Sequence, residues 1–336
     1  DHQILDVDGR GCDAMIELYR NHVLVCGGGG CQSSGCQNIR DRLVKRIKDK
    51  GMEEEIKVIL TGCMGPCSLG PMMIVYPEGV FYCKLIPAFV DDIVEKHLYQ
   101  GVPVEDFFYR DPYTGEAMAT VHEIPFFTRQ RKIALRNVGM IDPLNIDEYI
   151  AFNGYFALGK VLTQLTPRKT IEIIKESGLR GRGGAGFPTG LKWEFTAEAR
   201  GFPKYVVCNA DEGDPGAFMD RSIIEGDPHT LIEGMAIAGY AVDANQGYVY
   251  IRAEYPMAVK HLENAIKQAR EYGLLGSDIL GTGFDFDLEI RVGAGAFVCG
   301  EETALLASVE GQRGEPRPKP PFPANQGLWN KPTLLN

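Results

Sequence analysis

The chain has 336 residues, enough for two domains of ordinary size with a core in each. Acidic residues outnumber basic ones by 45 to 35, a formal charge of −10, which excludes nucleic acid or an anionic membrane surface as the main partner. A composition 44% hydrophobic and 24% charged is globular rather than disordered, and no apolar run approaches the roughly 20 residues of a membrane helix.

Residues 1–20 form a short polar lead without a basic-then-apolar leader, and a start at Asp1 with a stop at Asn336 reads as a fragment of a longer protein. A first unit spans 21–102. It opens with a strand at 23–25, a Cys/Gly loop, and a helix carrying Ile39, Leu43, Val44 and Ile47 at helical spacing. A β-branched strand at 56–60, a second Cys/Gly loop, a hairpin (72–76 and 80–83) around Pro77-Glu78-Gly79, and a closing helix at 88–99 follow. Both Cys loops follow strands, so both can meet at one end of a sheet. Residues 103–130 read as a linker broken by Pro103, Pro112, Gly115 and Pro125. The second unit, 131–336, alternates helices (146–163, 167–177, 228–241, 256–272, 301–309) with strands (205–208, 247–251, 288–292), which predicts a largely parallel α/β sheet.

Nine cysteines, seven of them before residue 84, do not suit a fully paired disulfide framework; thiolates kept for metal in a reducing, cytoplasmic compartment fit better. Cys26-x4-Cys31 and Cys63-x3-Cys67 form two pairs. Structural zinc favours two-residue spacers, whereas spacers of four and three suit two irons, each held by one pair. The first spacer is entirely glycine (27–30), which lets backbone N–H groups turn toward cluster sulfides. A [2Fe–2S] cluster is therefore expected on Cys26, Cys31, Cys63 and Cys67; zinc, or four buried thiols, are the alternatives. Cys12, Cys83, Cys208 and Cys299 read as packing residues, and Cys36 reads as a helix-face core thiol with a substitute cluster ligand as its alternative.

Glycine is 40 of 336 residues, about 12% against roughly 7% ordinarily, and five fall in 178–186. Gly181-Arg182-Gly183-Gly184-Ala185-Gly186 matches G-x-G-x-x-G, but a helix rather than a strand precedes it, so an ordinary dinucleotide fingerprint fails its context. What remains is a backbone-lined cradle for a flat or phosphorylated ligand, with Arg180, Arg182 and Lys192 as nearby cations. Asn209-Ala210-Asp211-Glu212-Gly213-Asp214 follows a strand, where α/β ligands sit, although a solvated acidic turn or a cation site would read the same. Gly300-Glu301-Glu302-Thr303 opens a helix and could act by capping alone.

The stretch from Ser177 through the Gly181–Gly186 run to Trp193, with the Asn209 and Gly300 motifs in order, resembles the NADH-oxidising flavoprotein subunit of respiratory complex I. The cysteine quartet resembles the thioredoxin-like [2Fe–2S] domain of its neighbouring subunit. The two fused in this order resemble the beta subunit of electron-bifurcating or NAD(P)-linked [FeFe] hydrogenases; some NAD-linked formate dehydrogenases carry a similar fusion. The resemblance implies an α/β chain with a thioredoxin-like domain ahead of a Rossmann-like domain binding FMN and NAD(H). Hydride would pass between NAD(H) and FMN, and electrons would leave singly to iron–sulfur clusters, without a protein acid or base. It implies that Gly181, Arg182, Gly183, Gly184, Lys192, Asn209, Asp211 and Glu212 line FMN, with Asn336 toward its phosphate. Phe187, Phe195 and Phe322 would flank adenine, and Lys319 would neighbour the nucleotide. Asp214 and Glu301 would sit near the nicotinamide. Glu302 would contact the adenosine ribose, favouring NADH over NADPH. Two departures are Phe297, where complex I subunits usually carry Tyr, and Asp214, where many relatives carry Glu. The implied partners are a catalytic hydrogenase subunit, a small [2Fe–2S] subunit and ferredoxin. A [4Fe–4S] cluster would lie in a C-terminal part beyond this sequence. A zinc-stabilised nucleotide-binding scaffold is the reading outside this class.

Overall fold

The computed structural model describes residues 19–336; Cys12 and nearly all of the 1–20 lead lie outside the described residues. The first sheet has strands Asn21–Cys26 (β1), Ile56–Thr61 (β2), Met73–Tyr76 (β3) and Val80–Tyr82 (β4) in the order β2-β1-β3-β4. β1 pairs in parallel with β2 and antiparallel with β3. As an inner strand it is apolar on both faces, and Val23, Leu24 and Val25 are buried. The parallel pairing places the loops after Cys26 and Thr61 side by side. The helix Cys36–Asp49 buries Ile39, Leu43 and Ile47 at i, i+4 and i+8, whereas Val44 faces solvent. The closing helix starts at Pro87 and loosens into a π-helical stretch, Ile93–Tyr99, whose His97 Nδ1 meets the buried Tyr82 hydroxyl at 2.9 Å.

Residues 103–130 are irregular but not free. A small hairpin, Tyr109–Arg110 (β5) and Ala117–Met118 (β6), lies beside β4, bridged by Tyr82 to Phe108 and Val80 to Thr120. Val104, Val121 and Ile124 complete the first core. Prolines break regular structure without preventing burial, which is why composition alone suggested a linker.

The second sheet contains Tyr205–Ala210 (β7), Gln246–Arg252 (β8), Asp287–Gly293 (β9) and Thr333–Leu335 (β10), in the order β10-β7-β8-β9 and parallel throughout. The α/β expectation holds. β10 was not foreseen: three residues are too short for a periodic signal, and only pairing with β7 makes them a strand. The helix expected over 146–163 is two, Ile146–Ala151 and Phe156–Gln164. Asn153 and Tyr155 are left-handed between them, and Gly154 lies against the Tyr149 ring, where a Cβ would overlap it. A helix not anticipated, Met219–Gly226, follows the acidic turn.

The two cores meet at a seam. Lys57 pairs with Glu148 at 2.7 Å, and Thr61 Oγ1 donates to the Ile141 carbonyl at 3.2 Å while accepting from Gly139 N at 3.1 Å. Gly62 touches Gly226 so closely that a Cβ on Gly62 would lie 2.5 Å from Gly226 Cα.

Beneath the second sheet, Glu233 accepts from the Tyr149 hydroxyl (2.5 Å) and Leu158 N (3.0 Å), and His229 Nδ1 meets the Tyr155 hydroxyl at 2.8 Å. Burial holds His229 neutral and lowers its pKa to about 4. With an unfolded value near 6.5, its share of stability is complete above that pH and is lost as pH falls through about 4. Urea unfolding should show a loss of at most about 3 kcal/mol across this window. His229→Gln should flatten that slope; an unchanged slope would remove His229 as its source.

Candidate functional site

The cysteine site lies where β1 and β2 end. Cys26 and Cys31 are buried, Cys63 is partly exposed and Cys67 is exposed. Cys31 sits on a single helical turn, Gly29–Ser33, so the glycine spacer is partly helical rather than wholly loop. The thiols touch in a chain, Cys31 to Cys26 to Cys63 to Cys67. The hydrogen bond with Cys31, then burial, pushes Cys26 up to about 11; the bond with Cys26, then burial, pushes Cys63 well up. Metal would displace these protons.

Glycines close on the sulfurs. A Cβ on Gly28 would lie 2.8 Å from Cys63 Sγ, and one on Gly70 would lie 2.7 Å from Cys31 Sγ. Met64 N points at Cys26 Sγ at 3.5 Å. Two adjoining thiol pairs under a backbone canopy fit a two-iron cluster. Cys36 lies buried at the start of the helix Cys36–Asp49, and burial pushes its thiol up to about 11.

The second site is the carboxyl edge of the parallel sheet. Asn209 N donates to the Asn336 carbonyl at 2.7 Å, and Asn336 N donates to the Val207 carbonyl, so β10 brings Asn336 to the end of β7. Asn209 Nδ2 reaches the Gly300 carbonyl at 2.9 Å, and its Oδ1 accepts from Asp211 N at 3.1 Å. Lys192 Nζ donates to the Leu335 carbonyl at 2.7 Å and pairs with Glu302 at 3.5 Å. Lys319 pairs with both Glu301 and Glu302. Five of the expected positions thus meet side by side: Lys192, Asn209, Glu301, Glu302 and Lys319.

Glu301 also caps its helix, its Oε2 accepting from Thr303 N (2.8 Å) and Ala304 N (3.0 Å). Burial raises this carboxyl, but the hydrogen bonds from Thr303 and Ala304 and the Lys319 charge prevail and hold it at about 2. Capping and a ligand role are not exclusive, since Oε1 faces Lys319.

The glycine loop lies between the helices Pro167–Glu176 and Thr189–Glu198, with no strand before it. Gly181 N donates to the Phe187 carbonyl, and Arg180 Nη1 donates to Gly186 O at 3.0 Å, closing the loop. Arg182 is turned back onto the Arg180 carbonyl. Phe187, Phe195, Phe297 and Phe322 are exposed, as is Asp214 on the turn after β7. Glu212 is engaged elsewhere. Its carboxylate accepts from Met219, Asp220 and Arg221 N at 2.6, 3.2 and 3.4 Å, capping the helix Met219–Gly226 from seven residues upstream.

Two observations fit FMN. A Cβ at Gly183 or Gly184 would meet nothing within 4 Å, so the exposed loop backbone is open to an approaching ligand, and Gly184 holds φ +108°, which suits glycine. Asp211 is buried with Oδ2 lacking a hydrogen-bond partner in the protein, a waiting acceptor for a ligand N–H or hydroxyl. Burial raises its pKa.

Two stretches of the chain match known family models. Residues 174–336 match the Nuo51 FMN-binding domain, and residues 17–98 match the thioredoxin-like [2Fe–2S] ferredoxin. The chain is 62% identical over 208 residues to the NADP-reducing hydrogenase subunit HndC of Solidesulfovibrio fructosivorans, covering 62% of this chain and 42% of that protein. It is 55% identical over 192 residues to an NADH-quinone oxidoreductase subunit of Aquifex aeolicus, covering 57% of this chain and 45% of that one. A crystal structure of NAD+-reducing [NiFe]-hydrogenase in the H2-reduced state superposes with a TM-score of 0.52 at 27% identity, over 95% of this chain and 51% of that one. The chain therefore spans under half the length of these curated relatives. Among the described residues no helix is long and apolar enough to cross a membrane.

Several residues at these sites escaped the sequence reading. Arg252 of the FMN-binding domain, at the end of β8, reaches the Glu212 carbonyl at 2.5 Å. Lys132 lies within Coulomb reach of Cys63 and Cys26. Arg221 packs on the Gly29 backbone. None belongs to a local motif, and a single cation in the sequence carries no signal of its distant partner.

Replacing Cys63 by serine is expected to abolish a stable cluster. Iron and acid-labile sulfide, about two of each per wild-type chain by the cluster's composition, should fall several-fold. Stoichiometric zinc in the wild type would overturn the assignment.

Proposed function

We propose that this chain is the pyridine-nucleotide-handling, electron-transferring part of a multisubunit oxidoreductase. It would exchange hydride between NAD(H) and FMN and pass single electrons to iron–sulfur centres. The observation that carries this reading is the union, on one chain, of an open glycine loop beside a parallel-sheet edge and a paired-thiol site docked against the same domain. When bound, FMN supplies the conversion of a two-electron hydride into single electrons.

In this reading the chain's own residues bind and orient. The backbone of Gly181, Gly183 and Gly184 receives the flavin, Lys192 and Arg182 offset its phosphate, and Asn209 and Asp211 hold its polar edge. Asn336 closes the site from β10. Phe187, Phe195 and Phe322, all exposed, offer apolar faces for the nucleotide base. Asp214 and Glu301 border the nicotinamide position. Cys26, Cys31, Cys63 and Cys67 hold the cluster. Glu302 favours NAD(H) over a 2′-phosphorylated nucleotide, although its pairing with Lys192 and Lys319 offsets part of that repulsion.

Gly183→Val tests the cradle, because the free chain has room for a side chain there. Stability should change by no more than about 0.5 kcal/mol, while the FMN content of purified protein should fall at least tenfold. Wild-type protein that is colourless, or whose flavin absorbance does not bleach with NADH under anaerobic conditions, would defeat the reading.

The finer proposal is a cytoplasmic, electron-bifurcating [FeFe] hydrogenase. It is supported by the order of the two domains and by the identity with a hydrogenase subunit, 62% against 55% for a quinone-reductase subunit. The equivalent subunit of an NAD(P)-linked formate dehydrogenase or of complex I is the alternative. The native complex, purified with its partners, should contain a catalytic hydrogenase subunit and a small [2Fe–2S] subunit. It should evolve H2 only when NADH and reduced ferredoxin are both supplied. Evolution from NADH alone would remove bifurcation, and formate oxidation would replace the hydrogenase reading.

A further inference from the structure

The four cysteines hold a [2Fe–2S] cluster in the reading above, and this inference rests on it. The ligand loop of the thioredoxin-like domain is touched by a cation from the other domain. An ideal Cβ on Gly29 would lie 2.7 Å from Arg221 Nη2 and 3.1 Å from Nη1, so the guanidinium lies directly against the Gly29 backbone. Gly29 stands two residues before Cys31, and its neighbour Gly28 lies against Cys63 Sγ. The charge therefore lies on the loop that joins Cys26 to Cys31.

The guanidinium is held from behind. Nε donates to Glu225 Oε1 at 2.9 Å, and the group lies over the Phe218 and Tyr255 rings at 5.5 and 5.4 Å. The Glu225 side chain is 3% exposed and that of Arg221 is 23%. The pair is thus an oriented dipole, with its carboxylate at Nε and its outer nitrogens on the loop. The helix that carries it, Met219–Gly226, is fixed at both ends, by Glu212 at its start and by Gly62, next to Cys63, at its finish.

We propose that Arg221, a positioning residue of the FMN-binding domain, raises the reduction potential of the cluster in the thioredoxin-like domain through its fixed charge on the Gly29 backbone. Reduction adds one electron and one negative charge, taking the diferric cluster to its ferric–ferrous form; no bond breaks and no proton moves. A fixed cation in a partly desolvated seam stabilises the reduced form, and charge near the cluster is one of the levers on such potentials. Lys132 acts with the same sign and Glu225 opposes it. Because the cation comes from across the seam, the cluster accepts an electron most readily when the two domains are docked.

The test is a redox titration of the full chain with its cofactors, reduced by dithionite through mediators and followed by the electron paramagnetic resonance of the reduced cluster. Arg221→Gln should lower the reduced-to-oxidised ratio at a fixed potential by about fivefold. Glu225→Gln should raise it, and Arg221→Lys should recover most of the loss. A purely structural role would not give opposite signs for the two members of one pair. An unmoved midpoint in Arg221→Gln, or shifts of the same sign in Arg221→Gln and Glu225→Gln, overturns the inference while leaving the cluster reading intact. A wild-type chain with no [2Fe–2S] signal overturns both. If Arg221→Gln fails to fold, Glu225→Gln decides alone, since an unmoved or lowered ratio there is equally fatal.

Discussion

The two cores meet backbone against backbone at Gly62 and Gly226, and much of the chemistry is arranged around that contact. Gly62 precedes Cys63, and Gly226 ends the helix whose start is capped by Glu212 from the acidic turn. An eight-residue helix therefore spans the distance between the thiol site and the sheet edge. A side chain at Gly62 would lever the loop and the helix apart, and one at Gly226 would strike the Val138 side chain at 2.6 Å.

The same physical device recurs at each site with a different purpose. At the thiols, Gly28 and Gly70 bring the main chain within van der Waals reach of sulfur, where N–H groups can face sulfides. At the cradle, Gly183 and Gly184 do the opposite and leave space that no protein atom fills. The glycines of this chain thus serve both contacts too tight for a side chain and an exposed loop whose backbone is unobstructed.

Charge is handled in a comparable way. Lys192, Lys319, Glu301 and Glu302 neutralise one another at the sheet edge, which keeps four ionised groups in a confined site without leaving any alone. Asp211 is the exception, with a buried oxygen that the protein leaves unpartnered. Exceptions of this kind are where a bound molecule completes the hydrogen bonding.

The sequence by itself determined what depends on local spacing. The strand at β1, the helix face of Ile39, Leu43 and Ile47, the parallel α/β alternation, the pairing of Cys26 with Cys31 and of Cys63 with Cys67, and the absence of a strand before Gly181 could all be read from neighbours a few residues apart. The tertiary structure alone decided what depends on distant partners. Asn336 belongs to the site because a three-residue strand pairs with β7, and Glu212 serves a helix rather than standing free in a turn. The segment 103–130 is largely exposed but sends Val104, Val121 and Ile124 into the first core, and the helix expected over 146–163 breaks because the Tyr149 ring needs the place of a side chain at Gly154. Arg221 meets Gly29 from 192 positions away in the chain. Periodicity records which face of an element is apolar, but it does not record which other element will cover that face, and the seam between the domains is made of such coverings.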